Sequence, residues 1–360
     1  MINIVAVGAR TPVGLCAKSA AAAVRAGICR VYTHPFFIDN VGEPVRAAID
    51  SCLDINAVLV ERIAELAYCS IAEIVDQLPC AVTKDQPIKV LLSLPETRPG
   101  FTVEDASEIM EIITKYALSL ECSLDLNCVE RGHAGVLRAV QIASDCLNEG
   151  DESLFLICGA DSYLHDRTIA WLEQEDQIVK EGNRSGFIPG EAAGAVLLAS
   201  ELKTRQLGMP VLARLRGVAT EIESKGIKGD VECLGEALSK TISDAIAPLH
   251  LPGEEIDAIC CDINGERYRT EEWGLAFLRN QHAFRTSDYE LPTSCWGDVG
   301  AATGALGCML CVQAWRRGYA KGPRALVCAG SENGLRGAIV LEQSIPYDSF
   351  GDSIPYKRGY

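Results

Sequence analysis

The chain has 360 residues, 48% of them hydrophobic, with no linker-like tract between them, so it is long enough to bury a large core within one compact body. A formal charge of −16 and a pI near 4.8 exclude nucleic acid and anionic membrane as partners unless a local basic patch exists, and the sequence displays none. The opening Met1-Ile-Asn-Ile-Val-Ala-Val lacks the charged and long apolar regions of a signal peptide, and no later run is long enough to span a bilayer; a cytoplasmic protein without membrane insertion is expected.

Ile2 to Gly14 reads as a buried strand closed by a Gly/Pro turn, and the Ala-rich stretch from Ala17 to Ala26 reads as a helix. Further strands are predicted at Lys89–Ser93, Ser153–Cys158 and Ala193–Leu198, then at Ile256–Cys261, Ala325–Cys328 and Gly337–Leu341, with helical patterns between them. Short apolar strands alternating with longer helices indicate an α/β protein whose sheets are covered on both faces.

The sixteen cysteines sit in apolar runs such as Ala258-Ile-Cys-Cys and Leu326-Val-Cys, where a free thiol behaves as a small buried hydrophobe, and they read as reduced. Cys308-x-x-Cys311 has a metal-like spacing but no second Cys or His pair, so it reads as core packing, and no metal or cofactor is expected. His34, His165, His250 and His282 stand alone in polar or loop-like contexts and read as surface or capping residues.

One plan occurs twice. Gly132-His133 opens a small-residue helix that runs to Gly150 and on to Leu154-Phe-Leu-Ile-Cys-Gly-Ala-Asp; Gly297-Asp298 opens another that runs to Gly318 and on to Ala325-Leu-Val-Cys-Ala-Gly-Ser-Glu. Duplication of this kind favours a layered fold with a pseudo-twofold axis, on which the two helix starts, and hence His133 and Asp298, meet.

Gly186-Phe-Ile-Pro-Gly-Glu-Ala-Ala-Gly-Ala-Val is similar to the Gly-Phe-x-Pro-Gly-Glu-Gly-Ala-Gly segment of the β-ketoacyl synthases, and from the first strand to about Gln343 the chain resembles that branch of the thiolase superfamily. The resemblance implies an α/β thiolase-like fold with two pseudo-twofold-related halves in a layered α-β-α-β-α arrangement. It divides the chain into halves at 1–200 and 201–343 with a tail at 344–360, and it implies a homodimer.

In that family a cysteine at a strand-to-helix elbow is the nucleophile, activated by the helix N-terminus and faced by backbone N–H groups. Counting back 17 residues from Gly150, the usual helix length in the family, puts His133 there. Cys128 is the alternative nucleophile, with a buried strand cysteine as its plainer reading; using it would place Val129-Glu-Arg in the tight turn and lengthen the helix by 5 residues. The family's two histidines correspond to Asn264, in Asp262-Ile-Asn-Gly-Glu, and to Asp298. Thr293 stands where a lysine is usual, and the closing Gly-rich segment becomes Gly330-Ser-Glu-Asn-Gly-Leu-Arg.

His133, Asn264 and Asp298 supply no strong nucleophile. The expectation is a non-condensing homologue, a pseudoenzyme that serves as a binding, adaptor or accessory subunit. The alternative is an acyltransferase or 3-oxoacyl synthase that takes thioesters with unconventional catalytic residues, Cys128 or His133 with Asp298; a third reading is a hydrolase in which Asp298 orients the His133 imidazole as general base. An acyl-carrier protein, acyl-CoA or another protein is the partner either reading implies.

Overall fold

The computed structural model describes residues 1–40, 42–79, 82, 87–120, 122–129, 131–180, 182–225 and 233–344. Of the expected tail, residues 345–360 lie outside the described residues. In chain order the strands are β1 (Ile2–Arg10), β2 (Val31–Ile38), β3 (Pro44–Ala48), β4 (Ile88–Ser93), β5 (Leu124–Cys128), β6 (Phe155–Ser162), β7 (Glu191–Ser200), β8 (Ala213–Ile222), β9 (Ala258–Cys261), β10 (Arg324–Gly330) and β11 (Leu335–Gln343). The helices are α1 (Ala17–Arg25), α2 (Leu59–Val75), α3 (Val103–Ala117), α4 (Gly135–Asn148), α5 (Asp166–Gln174), α6 (Glu201–Gln206), α7 (Glu236–Ile246), α8 (Arg267–Asn280), α9 (Thr293–Trp296) and α10 (Thr303–Arg316).

A 9-stranded mixed sheet runs in the order β5-β4-β6-β7-β1-β8-β11-β10-β9, and β2 and β3 form a separate hairpin. The order contains the repeat expected from sequence. In the first half β4 is parallel to β6, β6 antiparallel to β7, and β7 antiparallel to β1. In the second half β9 is parallel to β10, β10 antiparallel to β11, and β11 antiparallel to β8. Ile2, Asn3 and Ile4 of β1 join the halves by pairing with Leu215, Arg214 and Ala213 of β8. The outer edges differ. β5 adds a parallel ladder beside β4, whereas the place beside β9 carries the isolated bridges Ile256–Phe284 and Cys260–Glu290.

Alternation along the strands sorts side chains into layers. On β6, Leu156, Cys158 and Ala160 pack with Ile63, Ile71 and Ile109 of α2 and α3, while Phe155 and Ile157 pack with Val136 and Leu306 of α4 and α10. On β10, Val327 joins that same central layer, and Leu326 and Cys328 face Ile242 of α7 and Trp273 of α8. The result is helix, sheet, helix, sheet, helix. Small residues let the central layer close: a Cβ on Gly159 would sit 2.1 Å from the Ala301 carbonyl oxygen.

The six later strands expected from sequence are present. β5 and β8 were not among them, nor was the β2–β3 hairpin. Cys308 and Cys311 pack in the central layer. Among the described residues Cys29, Cys52 and Cys128 depart from the buried expectation and are exposed, and Cys16, Cys69, Cys146 and Cys233 are half-buried. Cys128 is therefore not a buried strand cysteine: it shares a face with the half-buried Leu124 and Leu126 but stands at the exposed end of the edge strand β5. His34 is also corrected: it is buried, stacks on Phe37 at 3.8 Å and accepts the Phe36 and Phe37 N–H groups through Nδ1. Among the described residues no helix is long and apolar enough to cross a membrane.

Candidate functional site

His133 lies in the turn between β5 and α4, Asn264 follows β9, and Asp298 lies between α9 and α10. The fold brings all three together. His133 Nε2 is 2.9 Å from Asp298 Oδ1 and 3.1 Å from Oδ2, and Asn264 Nδ2 donates to Asp298 Oδ2 at 2.6 Å. His133 and Asp298 are 4% and 2% exposed, so the pair is closed to solvent.

Each position is fixed by its local sequence. Gly132 turns the chain with φ +78°, and its N–H donates to the Leu94 carbonyl at 3.0 Å. At the other elbow Gly297 has φ +73°, and the Asp298 N–H donates to the Ile188 carbonyl at 2.7 Å. Thus the Gly186–Val196 segment holds the second elbow in place, with Gly190 so close that a Cβ would meet the Trp296 carbonyl oxygen at 2.3 Å. Glu191 of the same segment is fully buried, accepting Arg62, the Asp50 N–H and the Ser162 hydroxyl. Asp298 also accepts the Gly300 N–H at 2.8 Å, an Asx turn that leads through a short 3-10 turn at Gly300–Ala302. Helix α10 therefore starts at Thr303, later than the sequence pattern indicates.

Burial, the largest single influence, would lower the His133 pKa and the field of Arg269 adds to it, but the charge and hydrogen bond of Asp298 with the charge of Asp262 together outweigh them, and the imidazole is raised above its ordinary 6.5. Burial would raise Asp298; the charge and hydrogen bond of His133, with Arg269 and Asn264, hold its carboxyl well below the usual carboxylate range. Both shifts favour the charged form of the pair, an imidazolium facing a carboxylate.

Residues that sequence reasoning did not single out complete the site. Arg269 bridges Asp262, Glu266 and the Gly330 carbonyl, at 2.5, 3.2 and 2.7 Å. Asn264 donates to Glu266 as well as to Asp298. Ser331, fully buried, accepts the Ala134 N–H at 2.9 Å and donates to the Arg131 carbonyl at 3.1 Å. The Gly135 N–H is taken by the Gly132 carbonyl. Two amides at the start of α4 are thus engaged by the protein, not presented to an oxyanion. Glu96 accepts the Glu332 and Asn333 N–H groups, and burial pushes its pKa up against those bonds and the field of His133. Thr293 donates to the Ile263 carbonyl at 3.0 Å.

Cys128 does not join this group. It ends β5, its Sγ is 3.7 Å from the Val129 carbonyl oxygen, and it makes no hydrogen bond to the three residues above. Desolvation around the sulfur pushes the thiol up, with Arg131 opposing, which is the reverse of what an activated nucleophile needs. His133 Nδ1 is buried with no hydrogen-bond partner among the described residues.

For a metal, the ligand atoms of Glu223, Cys233 and Glu272 lie within 4.8 Å of one another. Their carboxylates are already committed: Arg336 donates to Glu272 at 2.6 Å, and Glu223 accepts the Lys225 and Ala237 N–H groups. A cation there would face the buried Arg336, so the cluster reads as an ion-paired polar core.

No protein-family model matches the chain. The spectinabilin polyketide synthase system protein NorC of Streptomyces orinoci is 27% identical over 203 residues, which are 53% of this chain and 9% of that protein. The chain thus spans about 9% of the length of this curated relative. Among solved structures, the oxazolomycin ketosynthase domain OzmH KS7 of Streptomyces albus JA3453 matches with a TM-score of 0.77 over 96% of this chain and 74% of that chain, at 16% identity. AntDE:AntF, a type II PKS acyl-carrier protein in complex with its ketosynthase bound to the hexaketide, matches at 0.78 over 95% and 99%, at 14% identity. The ishigamide ketosynthase/chain length factor matches at 0.71 over 95% and 99%, at 19% identity. At these identities the likeness is one of architecture, and the chain carries the thiolase-like fold of the ketosynthases.

Proposed function

We propose that this chain is a non-condensing ketosynthase-like protein that acts as a binding, adaptor or accessory subunit. The observation that carries the reading is the closed His133–Asp298 pair. An elbow that resembles the seat of a catalytic cysteine holds a histidine locked to a carboxylate, with its neighbouring amides engaged by Ser331 and Gly132, and it offers no thiol to attack a thioester. In this reading residues 1–200 and 201–343 are the repeated halves of a cytoplasmic protein. Its partner is an acyl-carrier protein, acyl-CoA or another protein, by analogy with the ketosynthases whose fold it shares, one of which is described in complex with its carrier protein. The homodimer belongs to the same proposal: the outer edge of β5 pairs with no strand among the described residues, and an edge strand of this kind is a template for a second copy.

A second reading rests on one observation. His133 Nδ1 has no partner among the described residues, and an imidazole with a free nitrogen backed by a carboxylate is a general acid or base. Its cost is the burial of that nitrogen, which a substrate would have to reach.

Intact-protein mass spectrometry after incubation with acyl-CoA and acyl-carrier-protein thioesters tests both readings, on the wild type, Cys128→Ala and His133→Ala. No adduct is expected in any of them. A stable acyl adduct that disappears in Cys128→Ala would overturn the proposal and make the chain an acyltransferase; thioester hydrolysis that disappears in His133→Ala would replace it with the second reading.

A further inference from the structure

The sequence contains no basic run, yet the fold assembles a basic groove from two distant helices. A groove of about 420 Å³ lies between α1 and the end of α10, lined by Lys18, Ala22 and Arg25 on one side and by Gln313, Arg317 and Tyr319 on the other. We propose that this groove binds a diphosphate group, carried by a small molecule such as a nucleoside diphosphate or by inorganic pyrophosphate. The inference is independent of the elbow site and of the function proposed for it.

Charge is the first argument. In a chain of formal charge −16, Lys18, Arg25 and Arg317 converge on one groove, and none of them forms an ion pair among the described residues. The carboxylates whose fields reach the groove are Glu73, beside Lys18, and Glu290, beside Tyr319; Glu73 is occupied by the Ala9 and Ala17 N–H groups. Placement is the second. Lys18 sits in the first turn of α1, which has no acidic residue and where the helix dipole disfavours a cation, so an anion held in the groove relieves an arrangement that the helix alone does not favour. The Arg25 guanidinium lies 3.8 Å over the Tyr319 ring, which fixes the planar fork that matches phosphate oxygens.

Gln313 supplies a separate observation. It is 2% exposed and lines the groove, and its amide hydrogen-bonds to no other group among the described residues. With no protein partner among the described residues and not sealed from solvent, the amide is open to a ligand in the groove. The spacing selects the size of the ligand: Lys18 and Arg25 are two helical turns apart, about 10 Å along the axis, which is wider than one phosphate and suits two linked ones. A concave groove of this volume also fits a small molecule better than the flat face of a protein.

The test is isothermal titration calorimetry of the full chain with inorganic pyrophosphate, ADP, inorganic phosphate and an acidic peptide, at low salt. Pyrophosphate and ADP are expected to bind roughly ten-fold or more tightly than phosphate, with affinity falling as salt is added. Equal affinities for the two assign recognition to the phosphates; tighter ADP binding adds the nucleoside, and either supports the site. Arg25→Ala and Arg317→Ala are each expected to lose about ten-fold in affinity with an unchanged thermal midpoint, since both side chains are exposed. No binding of pyrophosphate or ADP up to about 1 mM, or affinity unchanged in both variants, would overturn the proposal. Tighter binding of the acidic peptide would overturn it in favour of a protein partner.

Discussion

At the first elbow Gly132 precedes His133, and at the second Gly297 precedes Asp298; both glycines have positive φ, both following residues are buried, and both helices end at a positive-φ glycine, Gly150 or Gly318. The backbone is repeated while the side chains are complementary. Among the described residues the His133 side chain has a single hydrogen-bond partner, and the Asp298 carboxylate has three: His133, Asn264 and the Gly300 N–H. The first elbow contributes charge to the pair, and the second supplies the framework that orients it. Duplication alone would give two identical elbows; it is the divergence at these two positions that turns a meeting of helix starts into an ion pair.

Removing one side of the pair tests this most severely. Asp298→Ala strands a buried imidazolium and Asn264, and an urea unfolding series is expected to show a loss of about 3–5 kcal/mol. His133→Ala strands only Asp298, which keeps Asn264 and the Gly300 N–H, and a loss at the lower end of that range is expected. Losses that simply add in the double variant would break the comparison, because a coupled pair leaves a non-additive interaction of roughly 0.5–3 kcal/mol.

The glycines come next. A Cβ on Gly297 would meet the Ile188 carbonyl oxygen at 2.7 Å, a backbone atom, whereas one on Gly132 would meet the ends of the Glu96 and Ser331 side chains at 2.6 and 2.8 Å. Side-chain ends can yield and backbone cannot. Thermal unfolding should therefore place Gly297→Ala toward the upper end of a range of about 1–3 kcal/mol and Gly132→Ala toward the lower. Equal losses would mean that strain in φ, common to both, dominates over contact.

Proton linkage sharpens the contrast between the two partners. The His133 pKa is raised above 6.5, so its contribution is fully present below that pH and is lost as pH rises through the folded-state value. The Asp298 pKa is depressed below 3.8, so its contribution is present above that pH and is lost as pH falls through its folded value. Between 3.8 and 6.5 both are in place. Stability measured by urea should fall above this window by up to about 1.4 kcal/mol per pH unit until the folded-state pKa is passed, and His133→Ala should remove that slope. The smallest effect is expected at Cys128, where Ala should change stability by no more than about 0.5 kcal/mol, since the residue is an exposed member of an edge strand.

The meeting of His133 with Asp298 was legible in the sequence because it follows from symmetry, which repeats written in the chain carry over large separations. Strongly apolar strands such as β6, β7 and β10 were legible for a related reason: buried on both faces, they need no partner to be recognised. β8 was not. Arg214 and Arg216 interrupt its apolar pattern, and only the fold shows that Arg216 pairs with Glu254 and Glu342 at 2.9 and 2.7 Å. β5 was missed although Leu124-Asp-Leu-Asn-Cys alternates, because five residues beside no turn signal carry little weight. Arg269 and Glu96, and the roles of Glu266 and Ser331 within the segments quoted above, were illegible for another reason. Each sits in a polar stretch that resembles any solvated loop, and its burial is decided by elements elsewhere in the chain.

The unequal edges of the sheet bear on stoichiometry. Among the described residues the outer side of β5 is left unpaired, whereas the opposite side carries isolated bridges at Phe284 and Glu290, so one edge is open to growth rather than two. In the proposed homodimer β5 would meet its own copy across a twofold axis, each molecule would consume the other's valence, and the sheet would stop extending instead of growing into fibres.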